Sequence, residues 1–154
     1  YSAAAAEQSV AMSKAVLNRM STAVNIAKAL MSNGATSNGR TFNCTFAYCK
    51  SKLLAIGMND YKRAMVRYMP ELGTTFKHYG DAGYVPCLHG EISCLLKLGL
   101  EDCSNLDFYS VRIDRHGHCV HSQPCANCER ILRLVGFKHV YFFGKSMQVH
   151  SLVM

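Results

Sequence analysis

From Glu7 to Met31 the apolar residues Val10, Val16, Leu17, Val24, Ile26, Ala27, Leu30 and Met31 recur at three- and four-residue intervals among Ala, Lys and Gln. That spacing lines one face of a helix. Ser32-Asn33-Gly34 supplies a stop, and the Gly, Ser, Asn and Thr run up to Arg40 reads as a loop. Phe42–Cys49 alternates aromatic and polar side chains as a strand does, and Lys52–Met58 is a second short apolar run. The pair predicts a hairpin turning near Lys50-Ser51. Asn59–Pro86 holds Gly73, Gly80, Gly83 and two prolines around a short helix near Lys62–Met69. A connection this long in a compact domain is usually functional.

A second helix is expected after Pro86, running to Leu98 and stopped by Gly99. Leu106–Ile113 reads as a strand and Asp114–Ser122 as a polar loop. A third helix from Pro124 turns Ile131, Leu132, Leu134 and Val135 inward before Gly136. His139–Phe143 is a buried strand and Met147–Met154 a final alternating one. The order helix, strand, strand, helix, strand, helix, strand, strand predicts an α/β layered domain, a sheet of about five strands covered by helices.

Composition narrows the class. A chain of 154 residues, 49% hydrophobic and 18% charged, has material for one domain with one sizeable core, which excludes disorder as its main state. No apolar run reaches the roughly 18–20 residues that cross a bilayer, and no basic-then-apolar export signal opens the chain, so no membrane association is expected. The eight cysteines (Cys44, Cys49, Cys87, Cys94, Cys103, Cys119, Cys125, Cys128) are then expected to be reduced thiols in the cytoplasm, not disulfide staples.

The net charge of +7 is lopsided. Residues 1–68 hold the bases Lys14, Arg19, Lys28, Arg40, Lys50, Lys52, Lys62, Arg63 and Arg67 against only Glu7 and Asp60, whereas bases and acids balance in the remainder. A localised basic field of this kind favours an anionic partner, a nucleotide phosphate or a polynucleotide.

Two short stretches carry chemistry: His89-Gly90-Glu91 and Pro124-Cys125-Ala126-Asn127-Cys128, each at the start of an expected helix. One His and two Cys suffice for a catalytic zinc, which keeps a position open for water. Two Cys three residues apart at a helix N-terminus can face one ion, and the positive helix end favours their thiolates. Glu91 is placed to work as a general acid and base without ligating the metal.

His-x-Glu followed some thirty residues later by Pro-Cys-x-x-Cys resembles the signature of the zinc-dependent cytidine and deoxycytidylate deaminase superfamily. Leu53-Leu54-Ala55-Ile56-Gly57-Met58-Asn59 looks like that family's second strand, and Phe137-Lys138-His139-Val140-Tyr141-Phe142 like its fourth, so the resemblance spans roughly residues 42–154. It implies a single deaminase domain over 1–154, with residues 1–40 as an N-terminal helix and loop, and a three-layer α-β-α cytidine deaminase-like fold. His89, Cys125 and Cys128 would bind Zn2+, Glu91 would carry protons, and Asn59, Gly90 and Pro124 would line the substrate site. Asn59 would lie near the ribose and the Gly90 N–H near the base carbonyl. Many relatives have Ala where this chain has Gly90, a departure that touches substrate fit more than reaction type. The Gly144-Lys145 turn favours an antiparallel hairpin of the last two strands, as in the cytidine-deaminase-like and toxin- or phage-type branches.

The bases Lys50, Lys52, Lys62, Arg63 and Arg67 flank Asn59 in sequence and are expected at the pocket mouth, in contact with phosphate. The implied reaction is hydrolytic deamination of cytosine to uracil in a nucleotide or nucleoside. The alternative is cytosine in single-stranded DNA or RNA, with Tyr61, Tyr68, Phe76, Tyr79 and Tyr84 as stacking or lid residues. A third reading is a non-catalytic zinc-stabilised binding module, its fourth ligand drawn from Cys87, His116, His118, Cys119 and His121. Whether the chain forms a homo-oligomer is left open by the sequence.

Overall fold

The computed structural model describes residues 7–8, 12–34, 41–64, 87–99, 103–152 and 154, the side chains of 7, 8, 61–64 and 87 excepted. Helix α1 spans Lys14–Ser32 and is opened by Ser13, whose Oγ accepts the Val16 N–H at 3.2 Å. It starts seven residues later than its periodicity suggests. Glu7–Gln8 instead forms a short strand, β1, antiparallel to the last strand, where it covers backbone groups that a sheet edge leaves unpaired. The buried stripe of α1 is Val16, Met20, Ala23 and Ala27, one and two turns apart, with two alanines that let the helix lie close on the sheet.

Strands β2 (Phe42–Cys49) and β3 (Lys52–Met58) form the expected hairpin, with Lys50 at φ 55 in its turn. Asp60–Ala64 is strand β4, antiparallel to β5 (Cys87–Leu88) in a separate two-stranded ribbon. Residues 62–64 are thus extended, not helical. Their pairing with β5 overrides local helix preference, and the rest of the expected 62–69 helix lies outside the described residues. Helix α2 is Gly90–Leu98, ended by Gly99 at φ 74, and begins later than Pro86 because Cys87–Leu88 is extended. Then come β6 (Asp107–Ile113), the two-residue β7 (Cys119–Val120), α3 (Ala126–Val135), β8 (His139–Phe143) and β9 (Val149–Leu152).

The main sheet is mixed, in the order β1-β9-β8-β6-β2-β3; β6 and β8 are parallel and the other neighbours antiparallel. β8 and β9 form the antiparallel hairpin expected from Gly144-Lys145. On one face α1 packs over Phe42, Cys44, Phe46, Tyr48, Tyr109, Val111, Ile113 and Tyr141. On the other, residues of α2 and α3 pack with Ala47, Ala55, Phe108, Val140 and Phe142. The result is an α/β domain of three layers. Each ring fully buried there, such as Phe46 or Phe108, contributes on the order of 2–3 kcal/mol.

One irregularity positions the site. β8 pairs with Asp107–Tyr109 of β6, whereas β7 pairs further on with Arg112 and Ile113. Between them Ser122 plugs the gap. Its Oγ donates to Ser110 O at 2.7 Å, its N–H donates to Phe143 O at 2.9 Å, and its Oγ accepts the Phe143 N–H at 2.9 Å. The carboxyl ends of β6 and β8 therefore part, and such a crevice is where α/β sheets bind ligands.

Candidate metal centre

Helices α2 and α3 both begin at this end of the sheet, and each offers a ligand from the residue just before its first turn. His89 caps α2 and Cys125 caps α3, both extended and neither using its side chain to cap. Those side chains converge instead. Cys125 Sγ lies 3.5 Å and Cys128 Sγ 3.4 Å from His89 Nδ1, and the three ligand atoms lie within 4.8 Å of one another. Tetrahedral zinc, with bonds near 2.3 Å to sulfur and 2.0 Å to nitrogen, requires S···N separations of about 3.5 Å. The donor set, one imidazole and two thiols, suits zinc among the common divalent ions. It is the one group of three or more such side chains among the described residues, so the His116–His121 loop supplies no second centre there and no fourth ligand. Cys87, the other candidate, has its side chain outside the described residues.

The thiols divide by chemistry. Burial pushes Cys44 and Cys94 up to about 12, as inert core residues. Cys125 is pushed down to about 4, chiefly by the hydrogen bond from Cys128 and then by His89. Cys128, fully buried beside that thiolate, is held well above the ordinary thiol range by burial first and by Cys125 next. A divalent cation is the partner against which both would ionise. None of the seven cysteines whose side chains are described is in a disulfide.

Glu91 stands in the first turn of α2, 2% exposed. Burial raises its pKa, opposed first by the charge of His89. Its Oε1 has no hydrogen-bond partner among the described residues. A buried carboxyl oxygen without a partner is costly, and beside a three-ligand set it is the group expected to meet water or a ligand. The residues present therefore fit a metal ion such as zinc, with three protein ligands among the described residues.

The peptide of Gly90, between ligand and carboxylate, is fixed from β2. Its N–H donates to Asn43 Oδ1 at 3.2 Å, and its carbonyl accepts from Thr45 Oγ1 at 2.8 Å. Asn43 in turn donates from Nδ2 to Val111 O at 3.1 Å and Ser110 Oγ at 3.4 Å. A Cβ on residue 90 would come 2.6 Å from Asn43 Oδ1 and 2.9 Å from Asn43 O. Gly90 is therefore the counterpart of Asn43, which accounts for the missing methyl in the motif. The same contact corrects the expectation for the Gly90 N–H: it is directed at Asn43, not at an open pocket. Gly57 allows the helix start to sit this low, since its Cβ would fall 2.2 Å from Gly90 O.

The other expected site residues are placed as follows. Pro124 is buried immediately before Cys125. Asn59 ties the end of β3 to its neighbour, accepting the Asn43 N–H at 3.0 Å and donating to Thr41 O at 3.1 Å, so its amide already serves the backbone on both sides. Lys50 and Lys52 are not at the pocket mouth. Register pairs Tyr48 with Asp107 and Phe42 with Ile113, which puts the β2–β3 turn at the far end of the sheet. Seven residues of strand separate Lys52 from Asn59 by about 20 Å, so nearness in sequence becomes distance in space. Lys62 and Arg63 lie on β4 with side chains outside the described residues, as is all of Arg67. The aromatic side chains expected as a lid, from Tyr61 to Tyr84, are outside them too.

Sequence reading missed Asn43, Thr45, Ser110 and Arg112, which share the metal-facing side of β2 and β6. The signal was there as polar residues set between Phe42, Cys44 and Phe46 in a strand buried on both faces. Compared with models of known families and with curated protein sequences, the chain matches none. Among the described residues no helix is long and apolar enough to cross a membrane.

Proposed function

We propose that the chain is a zinc-dependent hydrolytic deaminase that converts cytosine to uracil in a cytosine nucleotide or nucleoside. The observation that carries this is the convergence of His89, Cys125 and Cys128 beside the buried Glu91, one of whose carboxyl oxygens has no hydrogen-bond partner among the described residues. A zinc ion held by His89, Cys125 and Cys128 would supply a Lewis acid that activates water at neutral pH. Glu91 would take one proton from the water and pass it to the ring nitrogen, then take the second and deliver it to the departing amine, so that cytosine and water become uracil and ammonia. The dry surroundings of Glu91 favour its protonated form, which suits the second half of that cycle. Asn43 and Thr45 hold the Gly90 peptide and so fix the angle between His89 and Glu91.

The net charge of +7 favours a second reading, cytosine in single-stranded DNA or RNA. A zinc-stabilised binding module needs a fourth protein ligand, and none joins the three among the described residues. The test is a panel of dCMP, dCTP, deoxycytidine and cytosine-containing oligonucleotides, assayed for the uracil product over a range of salt. Turnover of the free nucleotide with shallow salt dependence is the expected result. Turnover of oligonucleotides alone, falling steeply with salt, selects the strand reading, and no uracil from any member overturns deamination.

A further inference from the structure

We propose that Arg112, His121 and Lys145 form a phosphate-binding subsite beside the metal centre. What the phosphate is attached to, a cytosine nucleotide, rests on the deaminase reading above. The three residues come from separate elements that the fold brings to one place. Arg112 is directly abreast of Asn43 on β2 and of Val120 on β7, and shares the side of β6 that carries Phe108 and Ser110, the side on which α2 and α3 lie. His121 follows β7 and is held by its neighbour Ser122, which is hydrogen-bonded to both Ser110 and Phe143. Those bonds set His121 beside the end of β8. Lys145 stands two residues past Phe143, in the turn closed by Gly144 N–H to Gln148 O at 3.0 Å and Met147 N–H to Gly144 O at 2.9 Å.

The electrostatics agree with that placement. The imidazole of His121 is held below its usual pKa by burial and then by the charges of Arg112 and Lys145, and the carboxyl of Glu91 also feels Arg112. Glu91 is the acid that feels Arg112, and three other described acids are engaged elsewhere. Asp114 accepts the N–H groups of His116 and His118, Glu129 pairs with Arg133, and Asp107 meets His139 at the other end of β6. Two cations and an imidazole donor gathered at the mouth of a crevice, next to the positive end of α3, suit a dianionic phosphate. Arg112 offers a planar fork for two oxygens and Lys145 a mobile point charge.

Calorimetry on the Glu91→Gln protein, which binds without turnover, and kcat/KM on the otherwise unaltered protein test this together. The ligands are dCMP, deoxycytidine, inorganic phosphate and a short oligonucleotide with one cytosine. Expected is an advantage of at least about tenfold for dCMP over deoxycytidine, with inorganic phosphate competing against dCMP. Arg112→Ala and Lys145→Ala should each remove most of it and leave the binding of deoxycytidine to the Glu91→Gln protein unaffected, while Lys14→Ala on α1 changes nothing. Lys145 is exposed in a turn, so its variant keeps the test valid if Arg112→Ala fails to fold. A preference for the oligonucleotide that both variants abolish assigns the subsite to a strand phosphate. Equal binding of dCMP and deoxycytidine, or an advantage that survives both variants, overturns the subsite. Phosphate-dependent binding without any uracil product instead overturns the deaminase reading and leaves the subsite standing.

Discussion

The two faces of β2 share one backbone and have opposite chemistry. Toward α1 it presents Phe42, Cys44, Phe46 and Tyr48, and toward α2 it presents Asn43, Thr45 and Ala47, all of them buried. The first set does nothing but exclude water. The second gives up apolar area to hold the N–H and the C=O of Gly90, and through them the two residues on either side. Burial alone does not separate structure from function here; the kind of atom buried does.

That contrast can be broken from either side. The largest effect is expected on the α1 face: Phe46→Ala should cost about 3–5 kcal/mol in urea unfolding, while the folded fraction keeps its zinc and its rate per zinc. Next comes the Gly90 peptide. Asn43→Ala leaves the Gly90 N–H buried without an acceptor and should cost about 1–3 kcal/mol, with a fall in kcat that Phe46→Ala does not share. Gly90→Ala should be destabilising in the native background and partly relieved by Asn43→Ala, since the backbone oxygen of residue 43 stays 2.9 Å from the added Cβ, a coupling of about 1 kcal/mol in a double-mutant cycle. Additive losses would mean that the side chain of Asn43 is not what excludes a methyl. Thr45→Val, which keeps shape and removes the bond to Gly90 O, should cost about 1 kcal/mol. Smallest is Lys52→Ala at the far end of the sheet. It should leave stability within about 0.5 kcal/mol and turnover unchanged, and a large loss of turnover would return the phosphate contact to the hairpin.

Much of the fold was legible because its signals are local. The Phe42–Cys49 and Lys52–Met58 strands, the hairpin between them, the His139–Phe143 strand and the glycine stops at Gly99 and Gly136 follow from period and turn chemistry. His89, Cys125 and Cys128 were legible because ligand chemistry demands particular residue types at particular spacing, and the structure brings all three together. What could not be read was set by pairing between distant segments. Glu7–Gln8 left a helical pattern to pair with β9, and Asp60–Ala64 became extended against β5. The fit of Gly90 to Asn43 joins residues 47 apart, and no local pattern marks it. Lys50 and Lys52 misled for the same reason. The excess of bases in the first half of the chain is real, but strand direction carries these two away from the His89, Cys125 and Cys128 cluster and brings Arg112 and Lys145, from the balanced half, to its end of the sheet.

The central claim is that one zinc and one buried carboxyl make this crevice a cytosine deaminase, and the direct test is a paired measurement of zinc content and uracil formed on the native chain and on Glu91→Gln. The account predicts about one zinc per chain in both, uracil from the native chain, and a rate lower by about a thousandfold in the variant. Equal rates from the two proteins, or a full complement of zinc with no uracil from any cytosine substrate, would contradict it.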